Sequence, residues 1–215
     1  MRKFKVGDRV GVGCMVDSCR NCEACSAGDE QYCENGHTGT YNAPLGTKEG
    51  MISTDSGWTY GGYSGRISVN QDFVIRIPAG IPLEYAGPIL CSGITMYSPL
   101  KHWGALEGKK NVGIVGVGGL GQMGIRLAAA MGCEVTAIST SPNKEAVAKK
   151  IGAKHFVVSS DPESMAKRAG TLDIILNTVS VNHQAMTYQP LLRRNGTIVL
   201  IGLAMEPHMV RINFS

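Results

Sequence analysis

The chain has 215 residues, of which 43% are hydrophobic and 18% charged, a size that suits one large domain or two modest ones. This composition excludes disordered and fibrous proteins, and no apolar run approaches the roughly 18 residues that a membrane-spanning helix requires. The net charge of +4 comes from lysines and arginines spread along the chain, which does not suggest nucleic-acid binding. We therefore expect a soluble globular protein with no nucleic-acid and no membrane partner.

Short β-like runs broken by turn residues fill the chain from Val6 to about Pro88. They include residues 10–12, the alternating stretch 62–69 that follows Trp58, and residues 73–77, which end at Pro78. This half of the chain is predicted to be all-β and rich in loops.

After Pro88 the pattern changes, and strand and helix signals alternate to the end of the chain. Strands are predicted over residues 111–117, 135–139, 156–159, 173–178 and 197–202, and helices over 120–131, 142–151, 161–169 and 183–193. Continuously apolar strands separated by helices indicate a parallel sheet covered on both faces. The expected fold class is α/β, with an all-β domain over residues 1–91 and a doubly wound parallel sheet over 92–215, joined between Pro88 and Lys109.

Four of the seven cysteines form a cluster, C-x2-C-x2-C-x7-C, made of Cys19, Cys22, Cys25 and Cys33. Spacers of two residues allow successive sulfurs to turn inward around one tetrahedral Zn²⁺. Residues 1–8 reach Gly7 and Asp8 before an apolar run of signal-peptide length develops, so we expect no targeting segment and a reducing, cytoplasmic compartment in which disulfides are rare. A related iron–sulfur motif has a shorter last spacer followed by proline, whereas Glu34 follows here. The sequence predicts a closed structural zinc site in a lobe over about residues 14–40.

A glycine-rich turn follows the first predicted strand of the second half. It reads Gly116-Val117-Gly118-Gly119-Leu120-Gly121, the pattern G-x-G-x-x-G, and an apolar helix comes next. In this pattern Gly116 makes the tight turn, Gly118 lets the backbone approach a pyrophosphate, and Gly121 lets the helix pack closely on the strand. The helix N-terminus also favours phosphate. The pattern alone is weak, and a plain glycine-rich turn is the alternative, but its strand–turn–helix–strand context favours a dinucleotide site.

The end of the next strand discriminates between the two nicotinamide cofactors. It reads Ser139-Thr140-Ser141-Pro142-Asn143-Lys144, with no carboxylate, and Glu134 lies at the opposite end of the strand. An NAD site places Asp or Glu here to bind the ribose 2′-hydroxyl, and an NADP site has groups that accept a 2′-phosphate. Hydroxyls with a lysine favour NADP(H), although they are also ordinary at the start of a solvated helix.

Together these residues resemble the zinc-dependent medium-chain dehydrogenase/reductase superfamily, most closely its cinnamyl-alcohol-dehydrogenase-like branch. The matching segments are residues 7–13, the cysteine cluster, 60–64, 73–78, 86–100, the glycine-rich turn and 172–180. The resemblance implies a GroES-like β-barrel catalytic domain followed by a Rossmann domain. It also implies an enzyme that oxidises a primary alcohol or reduces an aldehyde with NADP(H) and that forms a homodimer at full length.

The resemblance also assigns individual residues. Cys91 matches a thiolate ligand of the catalytic zinc, although from its apolar surroundings alone it would be a core thiol. Thr95 matches a threonine that packs at the nicotinamide, and is thus both a catalytic and a cofactor-binding candidate. Further cofactor-binding residues are Gly119, Leu120, Thr178 and Val179. His37 and His102 match no ligand and are expected to lie in loops or at the surface.

Family members extend beyond both ends of this sequence, and upstream of Val6 they carry a cysteine, a relay hydroxyl and a Gly-His-Glu motif for the catalytic zinc. We therefore expect a partial barrel, a Rossmann sheet that lacks its last strand and exposes the edge 197–202, an incomplete catalytic zinc site, and little activity from this chain alone. An alternative is a non-catalytic NADP-binding zinc protein that acts as a sensor or interaction module. A metal-free quinone-reductase-like protein is disfavoured by the cysteine cluster and Cys91.

Overall fold

The computed structural model of the chain describes residues 3–45, 57–62, 64–107 and 109–202. The contacts divide it into two compact units, Met1–Cys91 and Ser92–Ser215. The first unit consists of short antiparallel strand pairs, and the second contains a five-stranded sheet. Across the described ranges, no helix combines the length and the apolar character needed to cross a membrane.

The first unit contains three two-stranded antiparallel sheets in its described residues. β1 (Val10–Val12) pairs with β6 (Val74–Arg76), β2 (Met15–Asp17) with β3 (Thr38–Gly39), and β4 (Tyr41–Pro44) with β5 (Trp58–Tyr60). A short helix, α1 (Glu23–Ser26), and a 3-10 turn, Glu30–Tyr32, lie between β2 and β3; Cys25 lies within the helix, and Cys33 directly follows the turn.

The strand predicted over residues 62–69 is wrong where the structure describes it. Gly62 and residues 64–69 form turns and irregular backbone, and most of their side chains are exposed. Alternation of residue types forms a strand only where a neighbouring strand accepts the backbone hydrogen bonds, and no described strand pairs with this segment. The strand predicted over 73–77 is present but shorter, because the Asn70 side chain accepts a hydrogen bond from the Asp72 amide and starts a 3-10 turn.

The apolar run after Pro82 is helical. It comprises α2 (Leu83–Pro88), a π-helical turn Ile89–Gly93 and α3 (Ile94–His102). Pro88 lacks an amide hydrogen and disturbs the regular helical ladder, which is consistent with the wider π turn that follows it. Cys91 lies in this π turn and Thr95 in the first turn of α3.

The second unit confirms the predicted alternation of strands and helices. The five strands that the structure describes here are parallel and lie in the order β11 (Leu192–Leu200), β10 (Leu172–Asn177), β7 (Asn111–Val115), β8 (Glu134–Ser139) and β9 (His155–Val158). The carboxyl ends of β7 and β10 are therefore neighbours. In a doubly wound sheet this reversal of strand order is where ligands bind. The helices between these strands are α4 (Gly119–Ala130), α5 (Glu145–Lys150) and α6 (Pro162–Ala166).

The core of this unit lies on both faces of the sheet, because successive side chains of a strand point to opposite faces. Ile114 and Leu176 belong to one buried cluster, which includes residues of α3 and α4. Val115 follows Ile114 in β7, and Ile175 precedes Leu176 in β10. Both belong to the other buried cluster. Burial on both faces explains why these strands are continuously apolar in sequence.

The helix predicted over residues 183–193 is wrong in part. The structure has a 3-10 turn, Ala185–Leu191, which contains Pro190, and β11 begins directly after it. Between Leu192 and Thr197 the strand bulges: Leu172 pairs with Leu192, and Ile174 already pairs with Thr197. Residues 203–215, on which the expectation of a missing last strand depends, lie outside the described residues.

Candidate metal and dinucleotide sites

The four clustered cysteines are brought together by the loop, helix and turn that follow β2. Cys22 is the N-cap of α1, Cys25 lies within this helix, and Cys33 follows the 3-10 turn. All four sulfurs lie within 4.8 Å of one another, and those of Cys19 and Cys25 are 3.9 Å apart. Four thiolates at about 2.3 Å from one Zn²⁺ are separated by about 3.8 Å. The arrangement therefore has the dimensions of a tetrahedral zinc site.

The electrostatics of this lobe also fit a cation. The Asn21 amide and the Asn35 side chain donate hydrogen bonds to the Cys19 sulfur and lower its pKa to about 6. The Ser18 hydroxyl, 3.3 Å from the Cys25 sulfur, favours the thiolate, but burial and the Cys22 sulfur outweigh it and raise the pKa of Cys25 to about 11. One thiol thus ionises readily and its neighbour does not. A bound divalent cation would stabilise all the thiolates together.

The glycine-rich turn connects β7 to α4, and each glycine has a different environment. Gly116 has φ +90°, and a Cβ there would lie 2.8 Å from Oγ1 of Thr178. A Cβ on Gly121 would overlap the carbonyl oxygen of Gly116. At Gly118 and Gly119 a Cβ would meet no atom within 4 Å. The turn is therefore closed on its protein side and open at the helix N-terminus, where no described side chain caps the amides. This is a cradle suited to a pyrophosphate.

Thr178 and Val179 line the closed side of this turn. The Thr178 hydroxyl and amide both donate to the carbonyl of Val115, at 2.8 and 3.1 Å. Cγ2 of Val179 lies 3.5 Å from the position of a Cβ on Gly116. The end of β10 is in this way attached to the end of β7 on the closed side of the cradle.

Hydroxyl groups and Lys144 lie at the carboxyl end of β8. The Ser141 amide donates to Oγ of Ser139 at 3.1 Å, and Thr140 and Lys144 are exposed. Acidic groups close to this edge already have partners. Glu145 pairs with Lys149 at 2.7 Å, and Asp161 accepts the Glu163 amide at 3.0 Å as the cap of α6. The edge therefore presents donors rather than a carboxylate to a ribose.

Cys91 lines a pocket of 280 Å³ in the first unit. The Cys14 sulfur lies beside the Tyr41 hydroxyl, and partial desolvation together with this contact raises the pKa of Tyr41. Among the described residues, the only group of three or more potential metal-ligating side chains is the four-cysteine cluster, so Cys91 has no such group around it. The pocket is lined by Val12, Gly13, Cys14, Thr40, Tyr41, Gly61, Gly62, Ile67, Gly87, Leu90 and Cys91.

Sequence reasoning did not single out Cys14, Tyr41 or His183. The residues that line the pocket around Cys91 come from five separate segments of the first unit. No spacing in the sequence therefore indicates that they lie close together. His183 was assigned to a helix, whereas the structure places its Nε2 atom 2.7 Å from Nδ2 of Asn177, next to the dinucleotide turn. His37 and His102 are exposed, as expected.

Comparison with known proteins agrees with these features. Residues 1–79 match the alcohol dehydrogenase GroES-like domain, and residues 119–214 match the zinc-binding dehydrogenase family. NADP-dependent alcohol dehydrogenase C 1 of Mycolicibacterium smegmatis is 50% identical over 206 residues, which are 95% of this chain and 56% of that protein.

Solved structures give the same result. A cinnamyl alcohol dehydrogenase of Sorghum bicolor matches with a TM-score of 0.88 and 42% identity, over 98% of this chain and 58% of that one. A Helicobacter pylori CAD complexed with NADP(H) matches with a TM-score of 0.82 and 38% identity, over 95% of this chain and 55% of that one. The chain thus spans a little over half the length of these relatives. Its two units thus match the GroES-like and zinc-binding domains of alcohol dehydrogenases, and the proteins that it resembles include NADP-dependent and cinnamyl alcohol dehydrogenases.

Proposed function

We propose that this chain is part of an NADP(H)-dependent alcohol dehydrogenase that transfers a hydride between NADP(H) and a primary alcohol or aldehyde. The observation that carries the proposal is the second unit's cradle, open above Gly118 and Gly119, together with the hydroxyls and Lys144 that follow the neighbouring strand β8, where residues 139–144 include no carboxylate. The names of the relatives support the same cofactor and substrate class. The full-length protein is proposed to act as a homodimer in the cytoplasm.

Each group of residues has a distinct part in this function. The amides at the start of α4 bind the pyrophosphate, and Ser139, Thr140, Ser141 and Lys144 bind the 2′-phosphate. Thr95 packs at the nicotinamide. The clustered cysteines hold a structural zinc that stabilises their lobe and has no position open for substrate.

Cys91 would be one ligand of a second, catalytic zinc. When bound, such an ion supplies a Lewis acid for the substrate oxygen. An open zinc site takes three protein ligands, and the described residues provide no group of them around Cys91. We therefore propose that this chain binds NADP(H) and one zinc ion but catalyses hydride transfer poorly by itself.

Cofactor choice is tested by titrating the purified chain with NADPH and with NADH and following nicotinamide fluorescence. NADPH is expected to bind at least about tenfold more tightly, because a charge-assisted hydrogen bond contributes about 1.5–3 kcal/mol. Lys144→Ala should remove most of this preference and leave NADH binding unchanged. Lys150→Ala, which removes the same charge at the far end of α5, is the matched control. Equal affinity for the two cofactors, or no binding of either, would refute the proposal.

Catalysis is tested by metal analysis and by NADPH oxidation with an aromatic aldehyde. About one zinc per chain and negligible turnover are expected. Robust zinc-dependent turnover with two zinc ions per chain would show that Cys91 has a complete ligand set. Zinc and NADPH binding without turnover, from a gene whose reading frame begins at Met1, would favour the alternative role of a cofactor sensor or interaction module.

A further inference from the structure

The segment that follows β10 is packed against the dinucleotide turn. Thr178 donates two hydrogen bonds to Val115, the last residue of β7. On its other side, the carbonyl of Val179 occupies the space that a Cβ on Gly202 would need. Any movement of residues 178 and 179 would therefore change the wall of the cofactor cradle.

The Asn177 side chain at the end of β10 is buried, and its orientation is determined by its partners. Its Oδ1 atom accepts a hydrogen bond from the Val179 amide at 3.1 Å. Because a backbone amide can only donate, the oxygen of Asn177 must face Val179, and the Nδ2 group must face His183. Nδ2 lies 2.7 Å from Nε2 of His183.

The tautomer of His183 follows from these contacts. Nδ2 of Asn177 carries only donor hydrogens, so Nε2 of His183 must be the acceptor. The other ring nitrogen, Nδ1, lies 2.8 Å from the carbonyl oxygen of Val181, which can only accept. His183 is therefore neutral, with its hydrogen on Nδ1. The half-buried ring joins the strand end at Asn177 to the backbone at Val181, while the Tyr188 ring, 6.3 Å away, is its aromatic neighbour.

We propose that His183 is a positioning residue for cofactor binding. The Nδ1–H tautomer closes residues 177–183 into a loop with one conformation, and this loop holds Thr178 and Val179 against Gly116. A loop that is ordered before the ligand arrives spares the ligand the entropy cost of ordering it. This inference rests on the proposed NADP(H) site but adds a residue that does not itself touch the cofactor.

The first test compares NADPH binding by the wild-type chain, His183→Phe and His183→Gln. The phenylalanine variant keeps a ring but loses both hydrogen bonds, and we expect its NADPH affinity to fall about tenfold, as for a loop with several side chains to order on binding. The glutamine variant, which has an amide donor and acceptor, should recover part of the loss. His102→Phe, an exposed histidine in the same unit, is the matched control and should bind as the wild type does.

A double-mutant cycle of Asn177 and His183 distinguishes loss of their hydrogen bond from a general loss of stability. Asn177→Ala removes the same bridge, so the double variant with His183→Phe should bind NADPH no more weakly than Asn177→Ala alone. Additive losses in the double variant would overturn the proposal. So would His183→Phe binding NADPH with wild-type affinity at a temperature at which both proteins are folded. Absence of NADPH binding by the wild-type chain would instead refute the proposed function.

The loop itself is tested without cofactor. Nitrogen-15 NMR of the imidazoles, with His183 assigned from its loss in His183→Phe, should show a neutral ring protonated on Nδ1. In His183→Phe the Val179 amide should exchange its hydrogen several-fold faster. A ring protonated on Nε2, or unchanged exchange at Val179, would overturn the inference whether or not the chain binds NADPH.

Discussion

Gly121 offers the sharpest test of the dinucleotide turn, because an added methyl group there meets backbone and not a movable side chain. In Gly121→Ala the Cβ would overlap the carbonyl oxygen of Gly116 and lie 2.9 Å from its carbonyl carbon. Either α4 must move away from β7 or the turn must open. Overpacking of this kind costs about 1–3 kcal/mol.

A second contribution to the free energy of unfolding has the opposite sign and partly offsets this cost. Alanine is favoured over glycine in a helix interior by about 1 kcal/mol. Since the clash involves backbone, we expect the upper part of the overpacking range and a net loss of about 1–2 kcal/mol in the free energy of unfolding. Denaturant unfolding, followed by circular dichroism, measures this loss. NADPH binding should also be weakened, because the amides of the turn are displaced.

Gly118→Ala is the matched comparison. Its backbone lies at φ −88°, which alanine adopts without strain, and its Cβ would meet no atom within 4 Å. The unfolding free energy should fall by only about 0.5 kcal/mol, because alanine is a somewhat poorer N-cap residue than glycine. NADPH affinity should nevertheless fall, because the methyl group occupies the approach of the pyrophosphate. Equal stability of the Gly121→Ala and wild-type proteins would refute this reasoning.

Three further outcomes are expected. A strong chelator should make residues 14–40 susceptible to limited proteolysis while the parallel sheet persists, because sulfurs form the interior of this lobe; unchanged digestion would contradict a structural metal. The hydrogen bond from His155 lowers the pKa of Glu134 below 4.5, so its contribution is present above that pH and is lost as the pH falls through the lowered pKa. In Glu134→Gln the free energy of unfolding should therefore decrease less steeply as the pH is lowered. The difference should be less than about 1 kcal/mol because the pair is partly exposed. Asp173 accepts the Asn111 amide at 2.8 Å and pairs with Arg193 at 3.1 Å, so Asp173→Ala should lower the unfolding free energy by about 1–3 kcal/mol and Asp173→Asn by less, as measured by urea unfolding.

Much of the second unit could be predicted from the sequence, because its strands are buried on both faces and read as apolar runs between helices. The glycine-rich turn was predictable for a related reason. Gly116 and Gly121 are only five residues apart, so the contact that excludes a side chain is local. The cysteine cluster, with four ligands in fifteen residues, is local as well.

The remaining features depend on residues distant in sequence. Val10–Val12 pairs with Val74–Arg76, more than sixty residues away, and the alternating segment 62–69 has no described partner at all. The pocket around Cys91 is formed by five separate segments. The bridge from Asn177 to His183 spans only six residues, yet it depends on a 3-10 turn that starts later than the predicted helix. Composition and periodicity carry no signal for such pairings.

The bulge in β11 allows the number of residues at this point to change without changing which residues of β10 and β11 pair after it. Leu192 pairs with Leu172 before the bulge and Thr197 with Ile174 after it, and residues 193–195 between them are exposed. Because pairing restarts at Thr197, additional residues at this point would project into solvent and leave Ile198 and Val199 on their respective faces of the sheet. This bulge is therefore a suitable place to insert a short epitope or a labelling tag, whereas insertion of one residue within 197–200 would exchange the side chains that pack on the two faces of the sheet.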